Sequence, residues 1–136
     1  MKKLLSLVLV LLLLFSAASA SGETFYTLKD LQGYIYNHPP VYFSEPHLVI
    51  DGTIKEIIYT GPNNHWNMTL AIDEPDAEAP LWSDTPLLTV HFRLHLDEVP
   101  FQVGDRITVD GTFNPLYSSF MVPFVKANTI NGSEDF

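Results

Sequence analysis

His47-Leu48-Val49-Ile50-Asp51-Gly52-Thr53-Ile54 repeats with a period of two. Leu48, Ile50 and Ile54 fall on one face of an extended strand, and Gly52 takes the next place on that face. A glycine inside a strand marks a bend or a bulge. The pattern continues to Thr60, and Gly61-Pro62-Asn63-Asn64 is a turn. From His65 to Asp73 the alternation resumes, with Trp66, Met68, Leu70 and Ile72 set against His65, Asn67, Thr69, Ala71 and Asp73. Leu88 to Leu96 alternates again: Leu88, Val90, Phe92, Leu94 and Leu96 oppose Thr89, His91, Arg93 and His95. Arg106 to Phe113 aligns Ile107, Val109, Gly111 and Phe113. Phe120 to Ile130 is a fifth strand, in which Pro123 suggests an edge or a bulge.

Upstream of these strands the period lengthens. Leu28, Leu31 and Ile35 form one stripe at spacings of three and four, which predicts a short helix over 27–37. Thr27 can cap it, with Asp30 as a weak form of the capping box. Gly33 weakens the helix by about 1 kcal/mol relative to alanine. Pro39 disfavours helical geometry at His38 and ends it. Ser21 to Tyr26 reads as a loose leader.

Three segments in register resemble the OB-fold. The first strand, 47–54, is similar to the family's apolar-x-apolar-x-Gly-x-apolar opening. Val103-Gly104-Asp105-Arg106-Ile107-Thr108-Val109-Asp110-Gly111-Thr112 resembles its Gly-Asp-x-apolar-x-apolar-x-Gly fourth strand. Val122-Pro123-Phe124-Val125-Lys126-Ala127-Asn128-Thr129-Ile130 resembles its closing strand. The order and spacing are similar to small exported or lipid-anchored bacterial OB-fold domains, some of them grouped with the anticodon-binding-like OB-folds. The resemblance implies an all-β chain: a five-stranded Greek-key barrel over about 41–132 with a short N-terminal helix. It implies nothing specific about function. One departure stands out. OB-folds usually carry a helix between strands three and four that closes one barrel end. Here about nine residues separate Leu96 from Asp105, and the Thr27–Asn37 helix is expected to plug that end instead.

Residues 1–20 read as a signal peptide. Lys2 and Lys3 precede the apolar run Leu4–Phe15, and Ala18-Ser19-Ala20 offers the small-x-small cleavage pattern. The run is short for a membrane span. The expectation is a periplasmic or secreted chain beginning at Ser21, with 21–136 as one domain. There is no cysteine, so the lipobox of a lipoprotein, a disulfide framework, thiol catalysis and zinc-thiolate sites are all excluded.

Without Lys2 and Lys3, five basic residues face sixteen acidic ones, a formal charge of −11. Such a surface repels phosphate backbones and anionic lipid headgroups, which argues against nucleic acid as a partner. The loop Glu74–Pro86, with Asp73, Glu74, Asp76, Glu78 and Asp84 in or beside it, reads as solvated acid. It lacks the central glycine of a calcium loop. Trp82 within it is a candidate lid or partner contact. Tyr117 and Phe120 read as hairpin packing.

The binding face of an OB-fold is formed by strands two and three and nearby loops. Here that face would present His65, Asn67, His91, Arg93 and His95, the candidate ligand-binding residues. Arg93 could bind an anion bidentately and the histidines could add pH-dependent charge. The bland alternative is the ordinary polar side of a half-buried sheet. His91 and His95 lie about 13 Å apart along a strand, too far to share one metal directly. No metal or cofactor is expected. No Gly-x-Ser-x-Gly, His-Glu-x-x-His or phosphate loop is present, so no catalytic residue is nominated and a dispersed hydrolase site ranks last. The expected function is a non-catalytic adaptor for a protein or small polar or anionic ligand. The alternatives are nucleic-acid or oligosaccharide binding through the OB face, or metal binding through the surface histidines.

Overall fold

The computed structural model describes residues 23–38, 45–114 and 122–136. The signal-peptide residues 1–20, the start at Ser21, barrel residues 41–44, and Tyr117 and Phe120 lie outside the described residues.

The elements in chain order are β1 (Thr24–Phe25), α1 (Leu28–Asn37), β2 (His47–Gly61), β3 (His65–Ala71), β4 (Leu87–Arg93), β5 (Arg106–Phe113) and β6 (Phe124–Ile130). β2, β3, β4, β6 and β5 pair in that order, and β5 returns to β2. β4 and β6 are parallel; the other barrel pairs are antiparallel. This closed five-stranded barrel is an OB-fold. The expected loose leader instead supplies β1, which pairs in parallel with the start of β2, Thr24 facing His47.

The barrel closes because each strand buries one row. Leu48, Ile50 and Ile54 meet Met68, Leu70 and Ile72, then Leu88, Val90 and Phe92, with Ile107, Val109, Phe113, Val125 and Ile130 completing the interior. Two inward places hold glycine because nothing larger fits. A Cβ on Gly52 would lie 2.9 Å from the Ile72 Cδ1, and one on Gly111 would lie 3.0 Å from the Lys126 carbonyl oxygen. β2 also carries a bulge: Ile54 faces Leu70, but Glu56 faces Thr69, leaving Lys55 as the extra residue. The slip inverts the alternation beyond it. Ile57 therefore packs on the core while Ile58 is exposed.

The two ends are closed differently. β4 starts where Leu87 faces Ala71 and finishes where Arg93 faces His65. The β3–β4 loop and the β4–β5 connection thus lie at opposite ends. α1 belongs to the first of these. Leu28 and Leu31 are fully buried in the core cluster. Thr27 Oγ1 accepts the Asp30 amide at 3.2 Å, as its capping role requires. Glu74 of the β3–β4 loop accepts the Leu28 amide at 2.7 Å and the Lys29 amide at 3.2 Å. A carboxylate there satisfies orphan donors and meets the positive end of the helix dipole. Buried Gln32 donates to the Glu78 carbonyl and accepts its amide, both at 2.9 Å. The acidic loop is therefore a strap on α1 rather than a freely solvated segment. The end at the β4–β5 connection is filled by aromatic rings: Phe101 and Phe136 stand edge-on to Phe92 at 5.6 and 6.1 Å. The helix does not plug the end predicted for it, because its partners are in the loop at the other end.

Candidate functional site

β3 and β4 are antiparallel neighbours, and β6 lies parallel to β4. Residues facing across a ladder share a face. The outer rows are therefore fixed: His65 beside Arg93; Asn67 beside His91 beside Lys126; Thr69 beside Thr89 beside Phe124. None of these three seven-residue strands contains an aspartate or a glutamate.

The centre of the face is a hydrogen-bonded chain of rings. His91 Nδ1 donates to Asn67 Oδ1 at 2.7 Å. An amide oxygen can only accept, so this contact places the His91 proton on Nδ1 and leaves Nε2 as an acceptor. His65 Nδ1 donates to that nitrogen at 3.0 Å. The two imidazoles stack, with centroids 5.1 Å apart and planes 10° from parallel. Phe124 extends the stack on the other side of His91, at 5.8 Å and 25°. Burial pushes the His91 imidazole below its usual range, and the charges of His65 and Lys126 act in the same direction. Protonating His91 would set its Nε2–H against the His65 Nδ1–H across 3.0 Å, which opposes the charged form of His91 as burial does.

Arg93 and Lys126 flank this stack, exposed, and neither forms an ion pair among the described residues. Of the sequence-derived candidates, the fold joins His65, Asn67 and His91 directly and sets Arg93 next to them. His95 is not brought in. It lies beyond the end of β4, and its amide donates to the Phe136 carbonyl at 2.6 Å. Both His91 nitrogens are committed to protein partners, and no group of three potential metal ligands occurs among the described residues. Sequence reading missed Phe124 and Lys126. Their own strand shows the alternation, but only the parallel pairing of β6 with β4 puts them on this face.

The same face continues into a cleft of about 490 Å³ between the β2 bulge and the β3–β4 loop, lined by Lys55, Glu56, Thr69, Trp82 and Thr89 among others. Lys55, Arg93 and Lys126 are three of the five lysine and arginine residues in the described chain. The remaining two lie elsewhere, Lys29 on α1 and Arg106 on β5 beside Asp51.

No protein-family model and no curated protein matches the sequence. Among solved structures, the chain is similar to a small single-stranded DNA-binding protein from Streptomyces coelicolor. Identity is 17% and the TM-score 0.47, over 68% of this chain and 95% of that one. It is also similar to a lipoprotein from Klebsiella pneumoniae described as a candidate nucleic acid-binding protein. There identity is 20% and the TM-score 0.48, over 81% of this chain and 92% of that one. Both neighbours carry nucleic-acid-binding descriptions, and this corrects two expectations: the adaptor for a protein or small polar ligand, and the exclusion of nucleic acid as a partner. The exclusion rested on net charge, and net charge averages over a surface whose carboxylates lie off β3, β4 and β6.

Proposed function

We propose that the outer face of β3, β4 and β6 binds single-stranded nucleic acid, and that the chain acts as a binding module rather than an enzyme. One observation carries this reading: three adjacent strands free of acid, in a chain with sixteen acidic residues, present Arg93 and Lys126 around a stack of planar rings. Cations contact phosphates, and rings offer bases a partner that depends little on sequence. A duplex hides its base faces and would gain only the phosphate contacts.

The site is small and the protein acidic, so affinity is modest and salt-sensitive. With Lys55, Arg93 and Lys126 engaged, the slope of log K against log salt is about −2. Fluorescence anisotropy of a labelled oligothymidylate should show binding that weakens about 16-fold between 50 and 200 mM salt. No binding at 50 mM salt would remove this reading.

Export also belongs to the proposal. Among the described residues no helix is long and apolar enough to cross a membrane. The basic start, apolar run and Ala18-Ser19-Ala20 support cleavage before Ser21 and a periplasmic or secreted location. Mass spectrometry of the exported protein should find residues 1–20 missing; a full-length species held in the membrane would contradict it.

A further inference from the structure

Trp82 is an anomaly for a residue of its type. It is 77% exposed, in a loop that the Glu74 carboxylate and the Glu78 backbone strap to α1. Its ring borders the 490 Å³ cleft. The outer row Glu56, Thr69 and Thr89 crosses this cleft from β2 to β4, and Lys55 joins it from the bulge. Bulges re-aim side chains. Here the bulge delivers an ammonium and a carboxylate side by side, opposite an indole.

We propose that this cleft holds one base of the bound strand and prefers guanine. The proposal rests on the single-strand reading of the adjoining face and names what that face selects. The indole supplies a stacking surface. Lys55 suits the attached phosphate. Glu56 sets the preference. An ionised carboxylate only accepts hydrogen bonds, through two adjacent oxygens. Guanine offers two adjacent N–H donors on its pairing edge. Adenine offers one donor beside an acceptor, so its ring nitrogen would face carboxylate oxygen. The threonine hydroxyls can donate or accept and do not discriminate. The cleft volume lies within the range of small-ligand sites. Thr89 is two residues from His91 on β4, about 7 Å along the strand. A base in the cleft and its neighbour on the ring stack can therefore belong to one chain.

Calorimetric titration with dGMP and dAMP tests this, using wild type, Trp82→Ala and Glu56→Gln. Both residues are exposed, and unchanged thermal melts would show that the variants fold. We expect wild type to bind dGMP at least fivefold more tightly than dAMP. Trp82→Ala should weaken both by about tenfold or more, the lower range for loss of one stacking partner. Glu56→Gln should bring the two nucleotides to within twofold of each other. Equal affinity of wild type for both nucleotides, or Trp82→Ala binding like wild type, would overturn the proposal. Oligothymidylate contains no guanine and reports strand binding without the guanine preference. Strand binding with no dGMP preference removes the guanine cleft and keeps the strand reading. A dGMP preference without strand binding keeps the cleft and removes the strand reading.

Discussion

Two outer faces of one barrel treat charge in opposite ways. On the β2–β5 side cations are met by carboxylates. Arg106 lies 3.9 Å from Asp51, His47 lies 3.6 Å from Asp110, and Thr108 Oγ1 donates to Asp51 Oδ1. On the β3–β4–β6 side Arg93 and Lys126 stand on three strands that carry no acid of their own. The first face pairs its arginine with a carboxylate; the second leaves positive charge for something outside the chain. For a protein this acidic, the information lies in where the carboxylates are absent, not in their total.

The seam between the faces runs along β5 and β6, and Gly111→Val should disturb it most. The new side chain meets backbone, the Lys126 carbonyl oxygen, which cannot swing aside. We expect a loss of about 3 kcal/mol or more in denaturant melts. Gly52→Val should cost less, about 1–2 kcal/mol, because its shortest contact is the movable Ile72 Cδ1 and the fixed Leu70 Cβ at 3.0 Å is carbon rather than a backbone oxygen. Equal losses at the two positions would mean that the backbone contact is no worse than the side-chain one.

Charge reversal compares the faces in binding. Arg93→Glu with Lys126→Glu should weaken oligothymidylate binding at 50 mM salt by more than tenfold, with an unchanged melt. Asp51→Asn with Asp110→Asn should leave binding within threefold of wild type. A larger effect from the aspartate pair would move the interface to the β2–β5 side.

Acid sharpens the contrast. His91 has its proton affinity lowered in the folded chain, so the unfolded chain binds more protons between the two pKa values. Its stabilising contribution is complete above about pH 6.5. It is lost as pH falls through the lower, folded value. His91→Gln should remove that part of the pH dependence in melts from pH 7.5 to 5. Binding should respond in the other direction. A phosphate on this face favours the protonated His91 imidazole, so affinity should rise on acidification. One added charge steepens the salt slope by about 0.7. The smallest effect is expected at Arg106→Ala. Its pair with Asp51 is exposed on both sides, and such a change should move stability by less than about 0.5 kcal/mol.

Most of the barrel interior was legible in the sequence because period two is a local property. Leu48, Met68, Leu88 and Val109 could each be set inward from their own neighbours, and Gly52 and Gly111 from the gaps they left. What was not legible depends on pairings distant in sequence. Lys126 joins His91 only through the parallel β4–β6 ladder. The bulge at Lys55 inverts Ile57 and Ile58 with no glycine or proline to announce it. His95 continued the alternation of β4 on paper, but the strand ends at Arg93. The polar candidates were read correctly as one side of a strand and incorrectly as one cluster, because alternation gives direction but not extent. Glu74 and Glu78 looked like solvated acid because nothing near them in sequence shows that α1 lies beside them.

That strap bears on how the chain assembles. As the polypeptide emerges N-terminus first, α1 is available early, but Glu74 follows Leu28 by 46 positions. A ten-residue helix is marginal in water without tertiary support. Until the β3–β4 loop has emerged, the helix lacks both its carboxylate cap and the partner of Gln32. The opening segment of the fold is thus secured by its middle. Docking of α1 therefore completes only after the β3–β4 loop, and with it the first half of the barrel, is present.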